Sequence, residues 1–183
     1  MTRTGERVAI LPIRRFGEPV LRDPAQDVDR FDDALAKLAD DMLETMYDAP
    51  GVGLAGPQVG VSLRVIVFDD QSGSGPRKLC NPVLHDLEGE QEGEEGCLSI
   101  PGMYFPTRRA MTCRVEALEL DGTQTSFEAE GFLARIMQHE TDHVNGVLFI
   151  DRISEADRRE AMKLIREQEM GLARRGSDSS REL

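Results

Sequence analysis

Residues 138–143 read Gln138-His139-Glu140-Thr141-Asp142-His143. The chain has three histidines, and two of them stand here, four positions apart, with a glutamate beside the first. An α-helix turns once in about 3.6 residues, so a step of four returns to nearly the same face. Both imidazoles can then meet one cation, with the glutamate in reach of a water on it, which is the pattern of a hydrolytic metal site. The competing reading is a hydrogen-bonded pair of core histidines. Two at this spacing, on an otherwise apolar face and beside a glutamate costly to bury alone, favour the metal.

The same periodicity extends the stretch into a helix over residues 130–145, with Phe132, Ile136, His139 and His143 on one face and Gly146 as its C-terminal cap. Before it, residues 110–120 and 123–129 flank Asp121-Gly122, a hairpin signal. Residues 64–69 carry Val65-Ile66-Val67-Phe68, a buried strand, and residues 79–85 look extended, with Pro82 marking an edge or an end. Residues 88–95 read as an acidic loop. Further upstream, Leu35, Leu38, Met42 and Met46 define a helix over 32–48, stopped by Pro50-Gly51. Residues 51–60 hold four glycines and a proline, a loop where backbone comes close to something. A third helix starts at Ser154, where Ser154 and Asp157 resemble a capping box. The pattern is α+β: the central HExxH helix packed against antiparallel β-sheets, with an N-terminal and a C-terminal helix. We expect one domain over residues 1–170 and a polar, disordered tail over 171–183.

The chain of 183 residues carries a net charge of −12, which disfavours DNA and anionic membranes as partners. No apolar run approaches the ~20 residues that span a bilayer, and residues 1–15 do not read as a secretory signal. Cys80, Cys97 and Cys113 are an odd number without CxxC spacing, so a reducing cytoplasm is expected. A catalytic ion keeps three protein ligands and one open position. The candidates for the third are Cys97, set among small and rigid residues, and a downstream carboxylate such as Glu160. Cys80 and Cys113 lie in strand patterns and read as small buried hydrophobes.

Three motifs in order resemble the peptide deformylase family: the 51–60 loop with Gly53, Leu54, Ala55 and Gln58; Glu95-Gly96-Cys97-Leu98-Ser99; and Gln138-His139-Glu140-x-x-His143 with Asp142, Gly146, Leu148 and Phe149. The opening, Ile10-Leu11-Pro12-Ile13 to Pro19-Val20-Leu21-Arg22, is also similar, and the likeness covers roughly residues 5–168. A C-terminal helix makes it look like the bacterial form with a helical end. The resemblance implies removal of the formyl group from N-formylmethionine on nascent chains, with release of formate. It implies Cys97, His139 and His143 as metal ligands and Glu140 as the group that takes the water proton and passes it to the leaving amine. The backbone N–H of Leu98 and the amide of Gln58 are implied as donors to the oxyanion, and Arg109 with Asp142 as an ion pair orienting the site. Gly53 would let an extended substrate pair with the loop, and Val52, Phe132 and Ile136 are candidates for the methionine slot, or plain core. Family members work best with Fe(II), with Zn or Ni able to substitute.

Two rivals stay open at this stage. One is a zinc peptidase in which Glu160 or Glu167 is the third ligand; the other is a closed structural site with Cys80 or Cys113 as a fourth. Residues 158–175 hold six basic and three acidic side chains, which reads either as a solvated helix face or as a surface docking on ribosomal RNA.

Overall fold

The computed structural model describes residues 8–179. Its elements run α1 (Asp33–Asp48), β1 (Gly53–Ala55), β2 (Val65–Phe68), β3 (Arg77–Glu88), β4 (Gln91–Cys97), β5 (Ile100–Arg109), β6 (Thr112–Leu118), β7 (Gln124–Glu130), α2 (Gly131–Val144) and α3 (Glu155–Ser179). One antiparallel sheet has the order β1-β2-β3-β6-β7, and β4 and β5 form a separate hairpin.

The five-stranded sheet lies between two helices. The carboxylate of Asp32 caps α1 by accepting from the Leu35 N–H at 3.0 Å. Leu35, Ala39, Met42 and Met46 of α1 then pack on Leu54, Val65 and Val67. Side chains alternate across a strand, so Ala55, Ile66 and Phe68 face the opposite way, onto Ala134, Ile136 and Met137 of α2. With a helix on each face, Val65–Phe68 is buried throughout, which is why the sequence shows an unbroken apolar run there. β6 and β7 pair in the expected hairpin, Thr112↔Glu130 to Leu118↔Gln124. Pro82 lies within β3, just past Cys80, where pairing to β2 ends, and inside a register shift against β6. A strand interior tolerates proline at such a bulge.

One expectation needs correction. Residues 88–95 are not a loop. They end β3 and begin β4, whose partner strand brings Arg108 opposite Glu92. Carboxylates are rare in strands on propensity, and here cross-strand guanidinium groups offset them. α3 is described to Ser179. Extending a formed helix costs little per residue, and Gly171 adds only about 1 kcal/mol against alanine. The end of the expected polar tail, residues 180–183, and the first seven residues of the chain lie outside the described residues.

α2 is the centre of the molecule, buried without a break from Ala134 to Val144. Gly146, just beyond it, has φ +76° and donates to the His143 carbonyl, and a Cβ there would strike the backbone of Arg22. A left-handed residue at this position ends the helix, and glycine is the residue that adopts it freely.

Candidate metal centre

A helix buried on every side must satisfy each polar group it carries. Gln138 does so by accepting from the Ala110 N–H at 2.9 Å and donating to the carbonyls of Ala110 and Ala134. Asp142 accepts from Arg109 at 2.7 Å and from Arg152 at 2.7 and 3.1 Å. The buried atoms on α2 left without a partner among the described residues are Glu140 Oε2, Thr141 Oγ1 and His143 Nδ1. They lie in and beside the HExxH stretch.

The two-residue turn Leu98-Ser99 joins β4 to β5, with Cys97 opposite Ile100. That turn brings Cys97 Sγ to 3.3 Å from His143 Nε2, and His143 Nε2 lies 3.1 Å from His139 Nε2. The three ligand atoms all fall within 4.8 Å of one another. Two ring nitrogens facing each other at 3.1 Å repel unless a proton or a cation stands between them. Burial acts to lower His139, but Cys97 and Glu95 beside it outweigh that and raise it well above the usual imidazole range. Burial, and then the charge on His139, drives His143 well below it. The two imidazoles are thus pushed in opposite directions by one shared environment, and a cation between them would relieve the repulsion of their facing nitrogens.

Glu95 fixes the outer nitrogen. Its Oε1 accepts from His139 Nδ1 at 2.6 Å and from Arg109 Nη2 at 2.5 Å, while Oε2 accepts from Arg109 Nε and Arg135 Nη1 at 3.1 and 2.8 Å. Burial alone would raise the Glu95 carboxyl, but these partners hold it far below the usual range. A carboxylate on Nδ1 sets the tautomer and leaves the Nε2 lone pair aimed at the centre. An N,N,S donor set suits zinc, iron or another borderline-soft ion, so the cluster can hold a metal.

A cavity of about 370 Å3 opens beside the cluster, and Val52, Gly53, Gln58, Cys97, Leu98, Phe132, Ile136, His139 and Glu140 all line it. Glu140 is buried, and that burial pushes its carboxyl up to about 7. A Cβ at Gly53 would collide with the Glu140 carboxylate, so this glycine makes room for that side chain. Gln58 Oε1 accepts from the Ala55 N–H at 2.9 Å, which turns Nε2 toward Ser99 Oγ at 3.3 Å and Cys97 Sγ at 3.6 Å. Ile136 is 4% exposed, whereas Phe132 stands half-exposed at the rim.

The sequence model of the polypeptide deformylase family matches residues 10–159. The chain belongs to this family. It is 51% identical over 162 residues to a peptide deformylase of Acidothermus cellulolyticus, covering 88% of this chain and 89% of that one. A peptide deformylase 1 of Corynebacterium glutamicum is 49% identical over 162 residues, covering 87% and 96%. The crystal structure of a peptide deformylase from Legionella pneumophila superposes with a TM-score of 0.84 at 42% identity, over 91% of this chain and 99% of that one.

Both rivals to the sequence reading fail on geometry. Glu160 and Glu167 are exposed on α3, and neither joins the metal-ligating cluster among the described residues. Cys80 and Cys113 are buried in two separate apolar clusters and do not join it either. Arg109 and Asp142 do form a buried pair, but Glu95 takes two bonds from that guanidinium. Sequence reasoning missed Glu95 as the partner of His139, and with it Arg135 and Arg152. The available signal was the need of each buried charge on α2 for an opposite one.

Proposed function

We propose that this chain removes the N-formyl group from the N-terminal formylmethionine of newly made polypeptides, releasing formate, with one divalent ion held by Cys97, His139 and His143. One observation carries the reading: a thiol and two imidazole nitrogens converge beside Glu140, whose buried Oε2 has no partner among the described residues. When bound there, the ion supplies Lewis-acid chemistry, acidifying a water and polarising the formyl oxygen.

The chain's own groups do the rest. Glu140 takes the water's proton and delivers it to the leaving amine, and a carboxyl near 7 is suited to both transfers. Charge on the former carbonyl oxygen is met by the Gln58 amide, held in place through its bond from Ala55, and by the backbone N–H of Leu98 in the turn after Cys97. β1 is an edge strand paired on one side to β2, so Gly53 can accept an extended peptide along its other edge. Val52, Phe132 and Ile136 form the slot for the methionine side chain. Arg109 and Asp142 hold Glu95 and α2 in register.

The same reading makes the chain one catalytic domain over residues 1–170. It assigns Fe(II) as the ion in the cell, replaceable by Zn or Ni, and a cytoplasmic site of action. No helix among the described residues is long and apolar enough to cross a membrane. It further assigns α3 as a docking face for the ribosome. Arg158 and Arg159 are already paired with Asp151 and Glu155, so docking through the described part of the helix rests on Lys163 and Arg166. Cosedimentation that weakens with salt, and is lost on truncation after Ile153, supports this role; unchanged binding by the truncated chain rules it out. The function itself is tested by formate release from formyl-Met-Ala-Ser, before and after chelation and metal replacement. Full release by the chelated protein would overturn it.

A further inference from the structure

Another face of α2 borders a second cavity, of about 730 Å3, which shares no lining residue with the one at the metal ligands. Its size suits a small-molecule ligand. Four arginines line it, Arg64, Arg108, Arg109 and Arg152, against the carboxylates of Glu90 and Asp142. Asp27, Glu92 and Glu95, just outside the lining, also pair with these arginines, so the local charge is balanced and what counts is which guanidinium donors are left over. Arg64 is spent on Asn145 Oδ1, the Pro82 carbonyl and Asp27, and Arg109 on Glu95 and Asp142. The other two retain donors. Arg108 engages Glu92 through Nε at 2.9 Å and its side chain is 70% exposed; Arg152 commits Nε and Nη2 to Asp142. Both Nη groups of Arg108 and Nη1 of Arg152 have no acceptor among the described residues.

Gln138, Thr141 and Asn145 of the α2 side also line it, and the β3 side of the wall is apolar. Val83 and Leu87 of β3 are 47% and 53% exposed and border the cavity, as do Pro82 and Leu84. Thr141 forms part of the lining at 7% exposure, and its hydroxyl has no partner among the described residues. Guanidinium donors above an aliphatic wall match a carboxylate on an apolar body. Glu90 and the buried Asp142 in the lining favour a singly charged anion over a dianion such as phosphate.

We propose that this cavity is a second binding site, for a small organic carboxylate with an aliphatic body. The probe is octanoate, titrated calorimetrically into the metal-loaded full chain, with acetate and octanol as the arms that separate charge from chain. Binding is read as heat, so it stands or falls apart from formate release. Octanoate should bind saturably and more weakly as salt rises, with acetate and octanol each at least tenfold weaker. Arg108→Glu and Leu87→Ser, both at exposed positions, should each weaken octanoate at least tenfold and leave formyl-peptide turnover unchanged. Equal binding by octanol, no saturable heat, or binding kept in both variants would overturn the proposal. So would octanoate competing directly with formyl-peptide, which would place it at the metal.

Discussion

Glu95 Oε1 lies 2.6 Å from His139 Nδ1, so a residue in β4 controls which lone pair a residue in α2 offers to the metal. Glu95→Gln keeps the shape and removes the charge. Loss of such an outer partner costs about 10–100-fold in metal affinity. Competition with a chromophoric chelator should show a drop of that size, with His139 and His143 still binding.

Glu95 also makes the fold sensitive to acid. Its folded-state carboxyl is held low, so its stabilising effect is present above the unfolded value near 4.5 and is lost as pH falls through the folded value. Glu140 works in the opposite sense. Its carboxyl rises from 4.5 to about 7, so in metal-free protein its contribution is full below 4.5 and disappears as pH rises through 7. The gap corresponds to about 3 kcal/mol, at about 1.4 kcal/mol per tenfold change in proton affinity. Metal-free Glu140→Gln should therefore be stabilised by about 2–3 kcal/mol at pH 8 and little changed at pH 4.5, measured by urea denaturation. Equal effects at both pH values would contradict the burial argument.

Glu140→Ala should keep its metal and lose formate release by at least 100-fold, since general acid–base transfer contributes about 100–10,000-fold. Metal content by emission spectrometry and formate by a coupled dehydrogenase assay separate the two quantities.

Gly53→Ala puts a methyl group where the Glu140 carboxylate now lies. A misplacement of about 1 Å near reacting groups costs on the order of 100-fold. Turnover should fall by that order while bound metal stays at one equivalent.

Ile136 and Phe132 line the same cavity at different depths. Ile136→Ala should destabilise the fold by about 2–4 kcal/mol as well as raise KM. Phe132→Ala, at the half-exposed rim, should raise KM with less than about 1 kcal/mol of lost stability. Thermal unfolding and initial-rate kinetics on the same preparations distinguish them.

The helices and the β6–β7 hairpin were legible in the sequence because each carries a simple period. Leu35, Met42 and Met46 repeat on one helical face, and Asp121-Gly122 marks its own turn. The β4–β5 hairpin was not legible. Gln91–Cys97 is mostly glutamate and glycine, and what makes it a strand is β5 across from it, a tertiary effect. The two histidines and Glu140 stood out by spacing alone. Cys97 was set apart from Cys80 and Cys113 by its small, rigid neighbours, but the choice against Glu160 rested on resemblance until the fold brought the sulfur in. Glu95 stood in the second motif, but its bond to His139 was not legible, since that contact exists only once β4 has formed.

The most direct measurement is X-ray absorption at the metal edge of the zinc-loaded protein, wild type against Cys97→Ala. The account predicts one sulfur at about 2.3 Å and two imidazole nitrogens at about 2.0–2.1 Å in the wild type, with the sulfur shell gone in the variant. A wild-type spectrum lacking sulfur, or a sulfur shell that survives in Cys97→Ala, would contradict it.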